Sequence, residues 1–342
     1  MTLFVKTSAA SVKKAAALIR AGGTVVFPTE TVYGLGADAL NAKAVARIFE
    51  IKKRPHFDPL IVHVSSIRQA RTLARVSVGA EALMTRFWPG PLTLVLPKKR
   101  IVPDIVTAGL ETVALRMPSH PVAMSLIKKA GTPVAAPSAN SFGSLSPTTA
   151  SHARDQLKGG PDMILDGGPT RIGVESTVLA LIDGAFLILR HGGLPREEIA
   201  LVTGPLNAAL KGGKRPISPG QLKKHYSPRA RLCVIKKAPL KLKAGLKYGY
   251  LAFKSKPALP VKRTEILSRT GNLAEAAANL FSQLHKLDRA GVDIILAEAV
   301  PSTGLGRAIM DRLRRASHRE AKPFSRKAIQ PHNKHHGTGF LI

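Results

Sequence analysis

The chain has 342 residues and a hydrophobic content of 44%, which suits one large core or two moderate ones, and two domains are the better expectation for this length. It has no run of about eighteen apolar residues, and its N-terminus lacks the order of a secretory signal, so we expect a cytoplasmic protein with no membrane partner. Its single cysteine, Cys233, excludes an internal disulfide and any metal site built from several cysteines.

The formal net charge is +31, from 52 Lys and Arg against 21 Asp and Glu. Such a charge favours polyanionic partners through counterion release, so nucleic acid or nucleotide is the first expectation. Adaptation to an acidic or salty cytoplasm, or simple solubility, is the alternative. Aromatic residues make up only 5% of the chain, which disfavours a base-stacking platform and favours contact with a phosphate backbone.

The first predicted unit is an α/β domain with a mixed sheet over residues 1–207. From Ser11 to about Leu206, short β-branched runs such as GGTVVFPT, PLIVHV and PLTLVLP alternate with amphipathic helical stretches such as ALNAKAVARIFEIKKR. The next stretch is rich in Gly, Pro and cations and lacks a sustained apolar period, so residues 208–230 are predicted to be a linker.

A small second α/β domain is predicted over residues 231–320. The runs RLCVI, KYGYLAF and VDIILAEAV are typical of buried strands, and two segments between and after them have the apolar spacing of helices. Residues 321–342 carry many basic and His residues and are predicted to form a flexible tail.

Small hydroxyl residues and cations stand where predicted strands and helices end. The segment GGTVVFPTETVYGLG places threonines and glycines after a strand, where a ligand can approach closely, although an ordinary strand and turn explain it equally well. The next helix ends with Lys52, Lys53 and Arg54, which also complement the helix dipole. Asp58 and His63 follow, and a lone His in an apolar strand is more often a core residue than a ligand.

The later strands continue this pattern. Thr112 and Arg116 lie four apart in an extended run and therefore face the same side of a sheet. A half-buried Arg pairs with a carboxylate or phosphate of a ligand, or with a local Asp or Glu. Candidate hydrogen-bonding or charged groups on other strand ends are Ser138, Asn140, Ser146, Ser176 and Arg190. Paired carboxylates, a Ser-His-Asp set and a metal-ligand cluster are not evident, so the pattern favours binding an anionic nucleotide and a small carboxylate, with rate gained from positioning and charge.

Five motifs in order resemble the YrdC-like family of threonylcarbamoyl-AMP synthases. They are PTETVYGLG at 28–36, Lys52-x-Arg54 before PLIVHV, LRMP at 115–118, SAN at 138–140 and ESTV at 175–178. The linker and the downstream GLGRAIMDRLRRAS resemble the longer branch of that family, and the resemblance covers the chain to about residue 320. It implies a twisted mixed-sheet YrdC-like catalytic domain, a linker over its active site, and a small Rossmann-like C-terminal domain.

The resemblance also implies an activity and partners. L-threonine, bicarbonate and ATP with Mg²⁺ would give threonylcarbamoyl-AMP and pyrophosphate, for N6-threonylcarbamoyladenosine at position 37 of ANN-decoding tRNAs. A downstream tRNA threonylcarbamoyl transferase would take the product, and contact with tRNA or double-stranded RNA is a further expectation from the charge.

Site residues follow from the same resemblance. Lys52 and Arg54 are the expected catalytic residues, through charge neutralisation on the triphosphate. At residue 58 this chain has Asp where the family pattern has Asn. The expected threonine-binding residues are Thr31, His63, Arg116, Ala136 and Ser176. The expected ATP-binding residues are Lys52, Arg54, Asp58, Thr112, Ser138, Asn140, Ser146, Arg190 and, from the linker, Tyr226.

Two other functions compete with this one. An RNA-binding protein without catalysis would also explain the +31 charge. A carbamoyl transferase of the hydrogenase-maturation type contains a related domain, but that group carries zinc-binding cysteine motifs, and one cysteine argues against it.

Overall fold

A computed structural model of the chain describes residues 2–55, 57–182, 184–208, 225–236 and 242–318. The strands are β1 (Leu3–Lys6), β2 (Val25–Phe27), β3 (Gly34–Asp38), β4 (Ile61–His63), β5 (Leu92–Pro97), β6 (Thr112–Arg116), β7 (Val134–Ala135), β8 (Met163–Asp166), β9 (Thr177–Ile182), β10 (Ala185–Arg190), β11 (Asn207–Ala208), β12 (Arg231–Ile235), β13 (Tyr248–Ala252), β14 (Arg263–Ile266) and β15 (Ile294–Glu298). The helices are α1 (Ala9–Arg20), α2 (Ala42–Lys52), α3 (Ile67–Leu73), α4 (Val78–Phe87), α5 (Asp104–Thr107), α6 (Pro121–Ala130), α7 (Ala150–Leu157), α8 (Arg196–Thr203), α9 (Leu273–Arg289) and α10 (Gly306–Ser317).

The larger sheet has eleven strands in the order β1-β8-β2-β3-β7-β4-β6-β5-β9-β10-β11. Parallel pairs such as β4 with β6 alternate with antiparallel pairs such as β5 with β6, which confirms the predicted mixed sheet. Strand β5 is buried at every position except Pro97, as expected for a strand covered on both faces. Helices α1 and α6 pack together on one core cluster, and α2, α3 and α4 contribute to another.

The smaller sheet has four parallel strands in the order β12-β15-β13-β14, with α9 and α10 packed against it. This confirms the second α/β unit, called here the C-terminal domain (residues 231–318). The predicted tail, 321–342, and most of the predicted linker, 208–230, lie outside the described residues.

The C-terminal domain and the larger sheet share one apolar core. Val32, Leu145 and Val174 pack with residues of α9 and α10 in a single cluster. Gly173 lies against the backbone of α9 with φ +74°, and a Cβ there would stand 2.5 Å from the Ala277 carbonyl oxygen. The two units are therefore packed together through a close interface. None of the helices among the described residues has the length and apolar character needed to cross a membrane.

Candidate active site

The candidate site lies where several strands of the larger sheet end. Strands β4 and β6 are parallel, so their last residues, His63 and Arg116, are neighbours in register. Thr31 follows β2 and Ser138 follows β7. Ser176 immediately precedes β9, and Arg190 is the last residue of β10. Polar side chains that are distant in sequence therefore meet at one edge of the sheet.

Helix α2 delivers two cations to this edge. It ends at Lys52 because the next residue, Lys53, adopts a left-handed conformation with φ +51°. Lys52 is buried, and its Nζ donates to the carbonyl oxygens of Ser138, at 2.6 Å, and of Asn140. Burial, and then the charge of Arg54, hold the pKa of Lys52 well below its usual value. In this structure Lys52 therefore fixes the loop at residues 138–140 from behind.

Arg54 and Asp58 form a buried ion pair, with Arg54 Nη2 2.8 Å from Asp58 Oδ2. The aligned hydrogen bonds of the guanidinium go elsewhere, from Nε to the Asp58 carbonyl at 3.1 Å and from Nη2 to the Pro59 carbonyl at 2.9 Å. Burial raises the pKa of Asp58, and the charges of Arg54, Lys52 and Arg190 offset part of that rise. The carboxylate that departs from the family pattern is thus neutralised within the protein.

Arg116 pairs with Glu30 across the sheet edge. Its Nη2 lies 2.7 Å from Glu30 Oε1, and both side chains are buried. The second carboxylate oxygen of Glu30 accepts a hydrogen bond from the Ser119 amide at 3.1 Å. The local ion pair considered for this arginine is therefore present, while Arg116 also lines the cavity described next.

A cavity of about 50 Å³ occupies the sheet edge, which is small beside the roughly 300–1,000 Å³ of typical ligand pockets. Substrates the size of ATP therefore need movement of the wall. The predicted residues that line it are Thr31, Arg54, His63, Arg116, Ala136, Ser138, Ser176, Arg190 and Tyr226. The predicted residues outside its lining are Lys52, Asp58, Thr112, Asn140 and Ser146.

The residues outside the lining have definite positions. Asn140 Nδ2 donates to the carbonyls of Ser141 and Ser144, both at 2.9 Å, and so shapes the loop that Lys52 holds. Thr112 begins β6, about 13 Å along the strand from its last residue at roughly 3.3 Å per residue. Four of the five, Lys52, Asp58, Asn140 and Ser146, thus contact cavity-lining residues or their loop, and Thr112 lies at the opposite end of β6 from Arg116.

Glu175 lines the cavity and was not predicted as a site residue, although it is part of the ESTV motif. Its carboxylate accepts hydrogen bonds from Ser146 Oγ and from Arg312 Nε, the latter at 2.7 Å. Burial alone would raise its pKa, but the charges of Arg312 and Arg190 prevail and lower it to about 2. Glu175 is therefore a carboxylate held in its charged form.

Ser176 and Arg190 form the adjoining wall. Arg190 donates to the Ser176 carbonyl from Nε at 3.2 Å and from Nη2 at 3.0 Å, and to Ser176 Oγ at 3.1 Å. The Ser176 hydroxyl also lies 2.7 Å from Thr93 Oγ1. Both side chains are buried, so a cation and a hydroxyl group are fixed side by side.

His225 and Tyr226, from the end of the predicted linker, cover the cavity. Tyr226 is buried and adopts a left-handed conformation with φ +62°, which is unusual for a residue with a Cβ and is frequent at functional sites. Its ring centroid lies 5.6 Å from that of Phe281 in α9. The amide of Ser227 donates to the Gly143 carbonyl at 2.8 Å. We call residues 225–230 the strap, because they tie the wall of the cavity to the C-terminal domain.

The buried charges around the site are unequal in number. Among the described residues, the buried Lys and Arg side chains are five and the buried carboxylates are three. His63 adds no charge near neutral pH, since burial and then the Arg116 charge lower its pKa to about 3. The arrangement suits the binding of anions such as a triphosphate and an amino-acid carboxylate.

Comparisons with known proteins find relatives along most of the chain. Residues 17–192 match the Sua5, YciO and YrdC family model, described as telomere recombination, and residues 194–318 match the model described as threonylcarbamoyl-AMP synthase, C-terminal domain. Threonylcarbamoyl-AMP synthases of Pyrococcus abyssi and Bacillus subtilis are 46% and 45% identical, over 90% and 91% of this chain and 94% of each relative. A crystal structure of P. abyssi Sua5 complexed with L-threonine matches with a TM-score of 0.85 and 44% identity, over 93% of this chain and 97% of that one.

Proposed function

This chain belongs to the Sua5, YciO and YrdC family in its two-domain form, and from that premise we propose that it is a threonylcarbamoyl-AMP synthase. The amine of L-threonine and bicarbonate give a carbamate and water. A carbamate oxygen then attacks the α-phosphorus of ATP, the bond to the β-phosphate oxygen breaks, and pyrophosphate leaves. The product serves the formation of threonylcarbamoyladenosine in tRNA. We place this reaction in the cytoplasm.

One observation carries the proposal. Arg116 and His63 stand side by side at the strand ends and share a cavity with Arg54 and Arg190. An arginine fork suits a carboxylate, and two further guanidinium groups suit a phosphate chain. This arrangement would bring two anionic substrates together in one site, as a reaction that gains its rate from positioning requires.

The threonine side of the cavity is proposed to be its Arg116 end. Arg116 would bind the amino-acid carboxylate while Glu30 holds the rest of its guanidinium. Thr31 and Ser176 offer hydroxyl groups, and Ala136 leaves room for the ligand. The neutral ring of His63, packed edge-on against Phe27 at 6.2 Å between centroids, would lie beside the threonine side chain.

The nucleotide side is proposed to be the Arg54 and Arg190 end. The carbamate is already anionic, so its attack on phosphorus needs charge neutralisation more than a strong base. Arg54 and Arg190 supply that charge from the cavity wall, and Lys52 acts by holding the loop that carries Ser138. Asp58, Thr112, Asn140 and Ser146 would support this end from outside the lining.

We propose that Mg²⁺ enters with ATP. Among the described residues, groups of three or more His, Cys, Asp or Glu that could hold a metal are not found. The nearby carboxylates Glu30, Asp58 and Glu175 are each paired with an arginine. The protein groups present therefore do not form a magnesium cage of their own, and Mg²⁺ is commonly carried by nucleotide phosphates. Chelation with EDTA should abolish turnover and leave threonine binding intact.

The first test is pyrophosphate release from ATP, with L-threonine and bicarbonate omitted in turn. Release that requires both supports the synthase, and background release contradicts it. Lys52→Ala should remove turnover because the 138–140 loop loses its support. Lys53→Ala is the matched control, since the neighbouring Lys53 side chain is exposed and should be dispensable.

The strap is proposed to act as a lid that excludes water from a labile intermediate. Tyr226 lines the small cavity, and we propose that it moves when ATP enters. Tyr226→Ala should lower ATP affinity and product yield, whereas Tyr226→Phe keeps the packing and should retain both. If Tyr226→Ala changes neither quantity, the strap is not a lid.

We also propose contact with tRNA and transfer of the product to a tRNA threonylcarbamoyl transferase. The support is the net charge of +31, which favours phosphate backbones. Binding of unmodified tRNA should weaken steeply between about 50 and 200 mM salt. Double-stranded RNA of the same length is the comparison that tests whether the contact with tRNA is selective. If both RNAs bind equally weakly, the net charge does not serve tRNA binding.

A further inference from the structure

Arg312 carries a buried charge across the interface between the two sheets. It belongs to α10 of the C-terminal domain, and its side chain is 0% exposed. Besides the bond to Glu175, Nη1 donates to the His191 carbonyl at 2.9 Å and to Asp311 Oδ2 at 2.7 Å. Removing a charged group from water is unfavourable unless well-placed partners inside the protein compensate for the lost hydration. The partner across the interface is a carboxylate on the cavity wall.

Glu175 connects Arg312 to the groups proposed to hold the nucleotide. It accepts from Ser146 on one side and precedes Ser176, to which Arg190 donates. The charge of Arg190 acts on Glu175 in the same sense as that of Arg312. Glu175 is therefore influenced by guanidinium groups of both domains, and it accepts a hydrogen bond from that of Arg312.

The same guanidinium supports the strap. The Cζ atom of Arg312 lies 5.0 Å from the centroid of the Tyr226 ring, within the range of a cation–π contact. Its Nη2 has no hydrogen-bond acceptor among the described residues. Tyr226 is thus placed between the cavity and a residue of the C-terminal domain.

We propose that Arg312 is a positioning residue of the active site, through which the docked C-terminal domain keeps Glu175 from capturing Arg190. In its absence, an uncompensated carboxylate would remain on the cavity wall. That carboxylate would draw the Arg190 guanidinium away from an incoming phosphate and repel the phosphate directly. The inference rests on the proposed function for the identity of the nucleotide, but its deciding measurement is ATP affinity, which requires no turnover.

The test compares ATP affinity, by isothermal titration, in the full-length chain and four variants. Arg312→Gln should raise the ATP dissociation constant about tenfold or more and lower kcat, with a smaller effect on the KM for threonine. Arg312→Lys keeps the charge without the fork and should be intermediate. Glu175→Gln/Arg312→Gln should return to within about threefold of wild type, because it replaces the charged pair with a neutral one.

Arg307→Gln is the matched control. Arg307 lies on the same helix and pairs with Glu197 of α8 across the same interface, but both groups are partly exposed and away from the cavity lining. It should match wild type in ATP affinity and kcat. Thermal midpoints of all variants report folding.

Two results would overturn the proposal. Either Arg312→Gln binds ATP as Arg307→Gln does, or the double variant binds ATP as weakly as the single one. If Arg312→Gln does not fold, the double variant decides alone, and binding tenfold weaker than wild type counts against the proposal. A wild-type chain that binds ATP but releases no pyrophosphate contradicts the proposed function and leaves this test intact, whereas one that binds no ATP overturns both.

Discussion

Replacement of Arg116 by Gln should separate stability from substrate binding. In the native protein Arg116 Nη2 lies 2.7 Å from Glu30 Oε1, and both side chains are buried. Removing one member of a buried pair leaves an uncompensated charge and costs about 3–5 kcal/mol. At roughly 2–4 °C per kcal/mol, the thermal midpoint of Arg116→Gln should fall by about 6–20 °C.

The expected loss of threonine affinity has a different cause, the hydrogen bond that the Arg116 guanidinium is proposed to donate to the threonine carboxylate. A hydrogen bond to a charged partner contributes about 1.5–3 kcal/mol, so the threonine dissociation constant should rise about tenfold to 150-fold. In Glu30→Gln/Arg116→Gln the buried charge is gone from both sides. The thermal midpoint should therefore recover most of its loss, while threonine affinity should stay low.

Differential scanning fluorimetry gives the midpoints, and isothermal titration gives the threonine and ATP affinities. ATP affinity should change little in both variants, since Arg54 and Arg190 are intact. Recovery of threonine affinity in the double variant would refute the reasoning, because it would mean that Arg116 acts on threonine only by keeping the site folded.

Three further predictions concern stability and charge. Burial holds the pKa of His63, His152 and His225 at about 3 and that of His285 at about 4. In the unfolded chain these histidines bind protons below a pKa of about 6.5, so the free energy of unfolding in urea should be lower at pH 5.5 than at pH 7.5 by on the order of 5 kcal/mol. Equal stability at the two pH values would contradict this. Gly173→Ala places a Cβ 2.5 Å from the Ala277 carbonyl oxygen, whereas Gly184→Ala has φ +76° but nothing within 4 Å. The free energy of unfolding in urea should therefore fall by about 1–3 kcal/mol more in Gly173→Ala than in Gly184→Ala, and equal losses would show that backbone strain alone is responsible. Asp58→Asn removes the carboxylate 2.8 Å from Arg54 and should tighten ATP binding in titration about threefold to tenfold while lowering the thermal midpoint, and weaker ATP binding would reverse the argument.

Local patterns predicted the strands and helices that build the site. The apolar runs before His63 and before Met117 predicted two strands, and their parallel pairing places His63 beside Arg116. The end of α2 at its run of cations, Lys52 to Arg54, was likewise predicted, and the helix ends at Lys52. Periodicity and breakers act over a few residues, and the sequence displays them directly.

Local sequence patterns could not predict the ion pairs of the site. Arg116 finds Glu30 86 residues away, and Arg312 finds Glu175 137 residues away. Helical spacing places Arg312 on the same face of α10 as Ala308, Ile309 and Ala316, but its carboxylate partner depends on how the C-terminal domain packs. The orientation of the Lys52 side chain also depends on tertiary packing, because the carbonyls to which it donates belong to the loop that follows β7.

The unequal numbers of buried cations and carboxylates affect how the protein should be handled in solution. An anion that enters the site supplies negative charge where the interior has a positive excess, and so acts as a folding ligand. Such a ligand at a hundred times its dissociation constant adds about 2.7 kcal/mol to stability. Sulfate or phosphate in a purification buffer would therefore stabilise the protein and compete with ATP through the same contacts, so nucleotide affinities measured in such buffers would be lower than the intrinsic ones.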